Sequence, residues 1–335
     1  MMSMRLIVAI TMFGFGMGQA FAQLNASLKR DTTDDAKNAS EYNYIFPLFG
    51  REVVERGFDI PYPVGLNVIG IGITQPVSMN DFRLSFGAGE PTVPFPLIKF
   101  GDAQSTVMSL NTRLDLWVLP FLNVYGLYGI ASTNTEVTIE EPVPFTSSVD
   151  QTGRYYGVGV TSAFGFFGHW ASVDVNWTWS DLELLDEPVR TRIIGIRLGH
   201  TFPLNNEGMK FAAWVGMMNA ELAVETSGSV SVADAVPPDV LDKLDNFYAN
   251  YKESDRYLAL ERWQQAAVDQ VVSRMQEADI RNTVVNYGMM KALAYPTNLL
   301  LGAQWEINKE WAFRAEAGLI GRWSLLVNLN YRFRI

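Results

Sequence analysis

The chain has 335 residues, no cysteine, 48% hydrophobic residues and a formal net charge of −10. Without cysteine it has neither a disulfide framework nor thiol chemistry, and the acidic balance argues against nucleic acid as a partner. Nine Trp, thirteen Tyr and twenty Phe are a supply of rings that membrane barrels place in interfacial girdles.

The first residues read as an export signal. Arg5 supplies a positive n-region, Leu6 to Met17 a short Gly-rich apolar core, and Ala20-Phe21-Ala22 an A-x-A cleavage site. Residues 1–22 are therefore expected to be a signal peptide, with the mature chain starting at Gln23. The apolar core is too short for a spanning helix, and no later stretch approaches the roughly 20 apolar residues that one requires. An exported chain of this kind is a soluble periplasmic protein or an outer-membrane barrel.

Residues 23–63 precede the first strand. They are polar from Asn25 to Ser40, then carry Tyr42, Tyr44, Ile45, Phe46, Leu48 and Phe49 before the charged stretch from Arg51 to Arg56. Such a segment is expected either to lie at the periplasmic membrane surface or to enter the barrel as a plug.

From residue 64 onward the side chains alternate in polarity, the period of a half-buried strand. Ten strands are expected, over 64–75, 107–118, 122–139, 154–164, 169–181, 190–202, 209–224, 298–308, 311–320 and 325–335. The clearest places Ala171, Val173, Val175, Trp177 and Trp179 on one face and Ser172, Asp174, Asn176, Thr178 and Ser180 on the other. In the last, Leu325, Val327, Leu329, Tyr331, Phe333 and Ile335 oppose Leu326, Asn328, Asn330, Arg332 and Arg334. In lipid every backbone N–H and C=O must be paired, so membrane strands close on themselves. The connections test this independently. The second, fourth, sixth and eighth are short, at Leu119-Pro120, Phe166-Phe167-Gly168, Pro203 to Gly208 and Lys309-Glu310. Apart from a tight one around Gly321-Arg322, the others are longer, as in barrels with periplasmic turns and external loops. The fold class is an all-β, transmembrane, antiparallel up-and-down barrel of about ten strands. Eight or twelve are the alternatives, because Phe82 to Phe86 and Thr135 to Ile139 could form strands of their own.

Before the last three strands the period turns helical, giving an insertion expected over 232–292 within the barrel domain 64–335. After Pro237-Pro238, Val240, Leu241, Leu244, Phe247, Tyr248 and Tyr251 recur at helical spacing. Ser254 is placed to cap a second helix, with Leu258, Leu260, Trp263, Ala267, Val271 and Met275 on its apolar face. The insertion is read as a hairpin buried against the barrel rim, or as a lid, plug or surface-partner element.

No catalytic constellation emerges. Of the two histidines, His169 falls at the short turn before the fifth strand and His200 on the apolar, lipid-facing side of the sixth near the same end, so neither is placed for nucleophilic catalysis near the outer rim. They offer no convincing metal set, so neither catalysis nor a cofactor is expected. The inward face instead collects charge: Arg113, Asp115, Asp174, Arg197, Lys210, Glu306, Arg314, Glu316, Arg332 and Arg334. A barrel this narrow is filled by its own side chains, and unpaired buried charges are costly. The expectation is an ion-pair network joining strands, with a polar pathway for a small solute as the alternative.

Several stretches carry a resemblance as well: Asp59 to Asn67, Leu114 to Gly126, Tyr156-Gly-Val-Gly-Val160, Ala171 to Leu182, and the Trp-Val-Gly run at 214–216. In these the chain resembles an uncharacterised family of Gram-negative outer-membrane β-barrel proteins, some of them loosely labelled virulence proteins. The resemblance covers most of the barrel and departs at the helical insertion. It implies an outer-membrane location and no catalytic residues. It also implies outer-membrane lipid and the barrel assembly machinery as partners. Leu329, Tyr331, Phe333 and Ile335 stand where that machinery reads terminal strands, although relatives usually end in an aromatic residue. The function expected is a structural or surface-interaction barrel with a charged, side-chain-filled lumen. A narrow channel gated by the insertion or the N-terminal segment is the second reading.

Overall fold

The computed structural model describes residues 25–26, 43–56, 58–86, 92–166, 168–183, 188–204, 209–222, 225–232, 236–277 and 284–334. The expected signal peptide, the start of the mature segment and Ile335 lie outside them. A short helix α1 (Gly50–Glu55) precedes seven strands: β1 (Val64–Ser85), β2 (Lys99–Leu119), β3 (Leu122–Glu141), β4 (Phe145–Phe166), β5 (His169–Leu182), β6 (Val189–Pro203) and β7 (Lys210–Leu222). A further strand β8 (Glu225–Ser231) leads into helices α2 (Pro238–Ala249), α3 (Asp255–Leu258) and α4 (Arg262–Glu277). The chain then completes the sheet with β9 (Val284–Leu293), β10 (Thr297–Glu306), β11 (Trp311–Gly318) and β12 (Trp323–Phe333).

Ten of these strands close an antiparallel barrel. Strands β1 to β7 pair in sequence order, β7 pairs with β10, β10 to β12 follow, and β12 returns to β1 through a register running from Trp323↔Thr74 to Phe333↔Val64. Closure leaves no unpaired edge to face lipid, which is what an apolar medium demands. The outward face carries an apolar belt that includes exposed Leu66, Met108, Leu110, Leu198, Val215 and Leu301. Exposed Phe121, Phe164, Phe202, Phe211, Trp305 and Trp311 ring the short-turn end, and Tyr128, Tyr156, Trp177 and Trp323 ring the other. An apolar belt between two aromatic girdles on a closed sheet defines a transmembrane barrel of the bacterial outer membrane. Among the described residues no helix is long and apolar enough to cross a membrane.

The wall is taller than alternation suggested. Strands β1 and β4 have 22 residues and β3 has 20, about twice the 9–11 that span a bilayer. The stretch 140–153, expected as a loop, is mostly strand: β3 runs to Glu141 and β4 resumes at Phe145. Phe82 and Thr135 to Ile139 likewise extend β1 and β3 instead of forming strands of their own. The outward residues here are polar (Asn134, Glu136, Thr138, Ser148, Asp150) because this part of the wall faces water, while Thr133, Thr135, Val137 and Ile139 stay buried inside. β9 pairs with the upper half of β1, taking the edge that β12 leaves at Trp323, and β8 adds to β9. Residues 284–292, expected within the helical insertion, are therefore strand.

The three helices cover the long-loop end. Their buried Val240, Leu241, Tyr248, Val268, Val271 and Val272 share one core with Val77, Met79, Phe82 and Leu84 of β1, Phe95, Leu97, Val137 and Ile139. The phase of the second helical stretch differs from expectation. Leu258 and Trp263 are exposed, whereas Val268 and Val272 are buried. The break explains the shift: α3 ends after Leu258, and a new start forms where Gln264 Oε1 accepts from the Glu261 N–H at 3.0 Å, a capping-box contact that resets the helical phase. Ser254 caps α3 as expected, its hydroxyl oxygen accepting from Tyr257 N.

Candidate functional site

Inward parity delivers the charged side chains to two neighbouring clusters near the short-turn end. In the first, Arg332 Nη2 donates to Asp115 Oδ1 at 2.9 Å, Asn123 and Asn67 each donate to Asp115 at 2.8 Å, and Arg113 reaches Asn123 Oδ1 at 3.2 Å. The Arg113 guanidinium also lies 3.6 Å from the centroid of the Tyr125 ring, a cation–π contact. In the second, Glu316 is the hub. It accepts from Arg197 Nε at 2.8 Å and Nη2 at 3.1 Å, from Arg314 Nη2 at 2.7 Å, and from Trp214 Nε1 at 2.7 Å. Arg197 also pairs with Asp174. All of these charged groups are buried. Bidentate guanidinium–carboxylate geometry is the arrangement that best offsets the desolvation of both ions.

Two glycines make room for this chemistry. A Cβ at Gly65 would sit 2.5 Å from Asp115 Oδ2, and one at Gly195 would sit 2.6 Å from Asp174 Oδ1. Of the remaining inward charges, Glu306 is half-buried nearer the rim and accepts from Gln304 Nε2 at 3.0 Å. Lys210 lies at the rim itself, 2.6 Å from Asp59. Arg334, expected to face inward, instead lies past the end of β12, exposed, and donates to the Tyr62 hydroxyl at 2.7 Å. Leu329, Tyr331 and Phe333 face outward on β12.

The segment before β1 packs into the short-turn end. Leu48 N–H donates to Val118 O and Trp117 N–H to Pro63 O, both at 2.9 Å, while Arg332 Nε donates to Tyr62 O at 2.7 Å. Asp59 lies between Lys210 at 2.6 Å and Lys309 at 3.3 Å. Partial burial raises the Asp59 pKa, but the two lysines outweigh it and hold the carboxyl below the usual carboxylate range. A depressed folded-state pKa adds stability at neutral pH that disappears as pH falls through that value, below about 4. The thermal midpoint is thus expected to drop on acidification below about pH 4, and part of that drop should vanish in Asp59→Asn. An unchanged profile in the variant would mean that the pairing of Asp59 with Lys210 and Lys309 contributes nothing.

At the opposite end, the cap is tied by polar contacts around its apolar core. Asp269 of α4 accepts from Tyr251 at 2.6 Å, Tyr257 at 3.0 Å and Lys252 at 3.1 Å. Desolvation pushes this carboxyl up, and these hydrogen bonds bring it below its usual range. Arg256 fastens the cap to the barrel wall through Pro96 O at 2.7 Å and Glu141 Oε2 at 3.1 Å.

The two histidines are direct cross-strand partners on β5 and β6. Strand register joins them, and no local signal announces it. Among the described residues no group of three or more His, Cys, Asp or Glu is arranged to hold a metal ion.

No protein-family model and no curated protein sequence matches the chain. Among solved structures it is similar to outer-membrane protein OprG from Pseudomonas aeruginosa, at 11% identity over 83% of this chain and 100% of that one, with a TM-score of 0.39. It is similar to the translocator domain of the autotransporter NalP from Neisseria meningitidis at 12% identity, 92% and 100% coverage and a TM-score of 0.35. A third is the toluene transporter TbuX from Ralstonia pickettii, at 9% identity, 82% and 90% coverage and a TM-score of 0.29. None of these likenesses assigns a cargo to this chain.

Proposed function

We propose that this protein is a non-conducting outer-membrane barrel that displays a folded helical cap for contact with a partner at the cell surface, without catalysis. The observation that carries the reading is the Arg197–Glu316–Arg314 cluster bridging β6 and β11 across the interior, at a level where a solute path would have to pass. The hydrogen bonds that hold the segment before β1 at the short-turn end and the apolar core beneath the cap support it from either side. The aromatic outer face of β12, with Leu329, Tyr331 and Phe333, supports recognition by the barrel assembly machinery. The sequence resemblance supports membership of the family of Gram-negative barrels named above.

Conductance of the purified full-length chain in planar bilayers tests the proposal. No single-channel steps are expected, either from the intact protein or after residues 232–283 are replaced by a short Gly/Ser linker. Steps in the intact protein, or steps that appear once the cap is removed, would establish the gated channel instead.

A further inference from the structure

We infer that His169 and His200 form a binding site for a divalent transition-metal ion on the outer wall of the barrel, at its short-turn end. The chain has only two histidines, and the β5–β6 register places them directly opposite each other. Their Nδ1 atoms are 3.3 Å apart and their ring centroids 4.6 Å. Two nitrogens bound to one tetrahedral Zn²⁺ at 2.0–2.1 Å are separated by about 3.3–3.4 Å, the edge of that tetrahedron. The spacing of the two rings is thus already that of a shared ion. Imidazole is a ligand of choice for zinc, copper and nickel.

The surroundings favour an open coordination sphere. The pair lies in a shallow groove on the lipid-facing side, walled by Leu198, Phe202, Ala213 and Val215. The Phe202 ring packs against His200 with centroids 4.6 Å apart. The turn beside the site is shaped to admit the ring: Gly168 has φ +80°, and a Cβ there would meet His200 Cε1 at 3.0 Å. Two positions of the ion remain for water or for an anionic headgroup at the membrane surface. The two Nδ1 atoms of the metal-free pair are within hydrogen-bond distance, with donor and acceptor set by the tautomer. Shared coordination through Nδ1 uses both rings in the neutral form that carries its proton on Nε2.

The test is titration of the untagged, detergent-solubilised full chain with Zn²⁺ by calorimetry and with Cu²⁺ by electron paramagnetic resonance. One ion per chain is expected, with nitrogen couplings from two imidazoles in the copper spectrum. Loss of an outer-sphere partner already costs 10–100-fold in affinity, so His169→Ala and His200→Gln should each weaken binding at least about a hundredfold. Both side chains face outward, so the heat-dependent gel shift of the folded barrel should be preserved in each variant, separating loss of the site from loss of the fold. The inference is overturned if the intact protein shows no saturable site, or if a folded single variant binds as tightly as the original.

Discussion

Glu316→Ala is expected to destabilise the barrel by about 3–5 kcal/mol, the range for breaking a buried ion pair by removing one partner. The carboxylate accepts from Arg197, Arg314 and Trp214 at once. Its removal leaves Arg197 with Asp174 and takes from Arg314 its ion-pair partner within the cluster. The cost arises because these groups are buried, where attraction between ions is little screened and an uncompensated ion is poorly solvated. Urea unfolding in lipid vesicles, followed by tryptophan fluorescence, measures it. Glu316→Gln keeps an acceptor oxygen but loses the charge, and its stability should fall between those of the original protein and Glu316→Ala. A loss below about 1 kcal/mol would be the behaviour of exposed pairs. It would mean that lumen water solvates the arginines, which would favour the conducting reading.

The second large effect is expected in the cap. Phe95 is fully buried between β1 and β2 and packs against Tyr248 of α2 with ring centroids 6.4 Å apart. Truncating a buried Phe to Ala costs about 3–5 kcal/mol through lost transfer energy and the residual cavity. Here the loss should be local, because the apolar core beneath the helices is separate from the cluster around Ile69, Ile71 and Ile73 in mid-barrel. Phe95→Ala should therefore expose residues 236–277 to limited proteolysis while leaving the barrel's heat-dependent gel shift intact. Trp263→Ala, at an exposed position, is the control and should change stability by no more than about 0.5 kcal/mol. If both variants are cut equally, the cap is not held by this core.

The legible and illegible parts of the chain divide along physical lines. Strands facing lipid on one side and the lumen on the other had to alternate, and His169 to Leu182 shows this residue by residue in its burial pattern. Where β3 and β4 rise into water, the outward face becomes polar. The constraint that makes alternation conspicuous weakens there, so β4 starts at Phe145 where alternation predicts Arg154, while the end of β3 shifts by only two residues. In the cap, α2 kept its phase because Pro237 and Pro238 mark its start. The second helical stretch lost its phase at the break over 259–261, which a continuous period count cannot detect.

The amino-acid sequence by itself determined the barrel, its ten closing strands and the inward parity of charges such as Arg113, Asp174 and Glu316, but not the burial of Lys291 and Arg322 or the exposure of Arg334. The features it determined follow from local periodicity and from the need to satisfy the backbone in lipid. Only the tertiary structure decided which charges meet. Arg197 and Glu316 are 119 positions apart in the chain, and His169 faces His200 through strand register alone. Periodicity specifies the face on which a side chain lies. The neighbour it meets there depends on closure and register, which are properties of the assembled sheet.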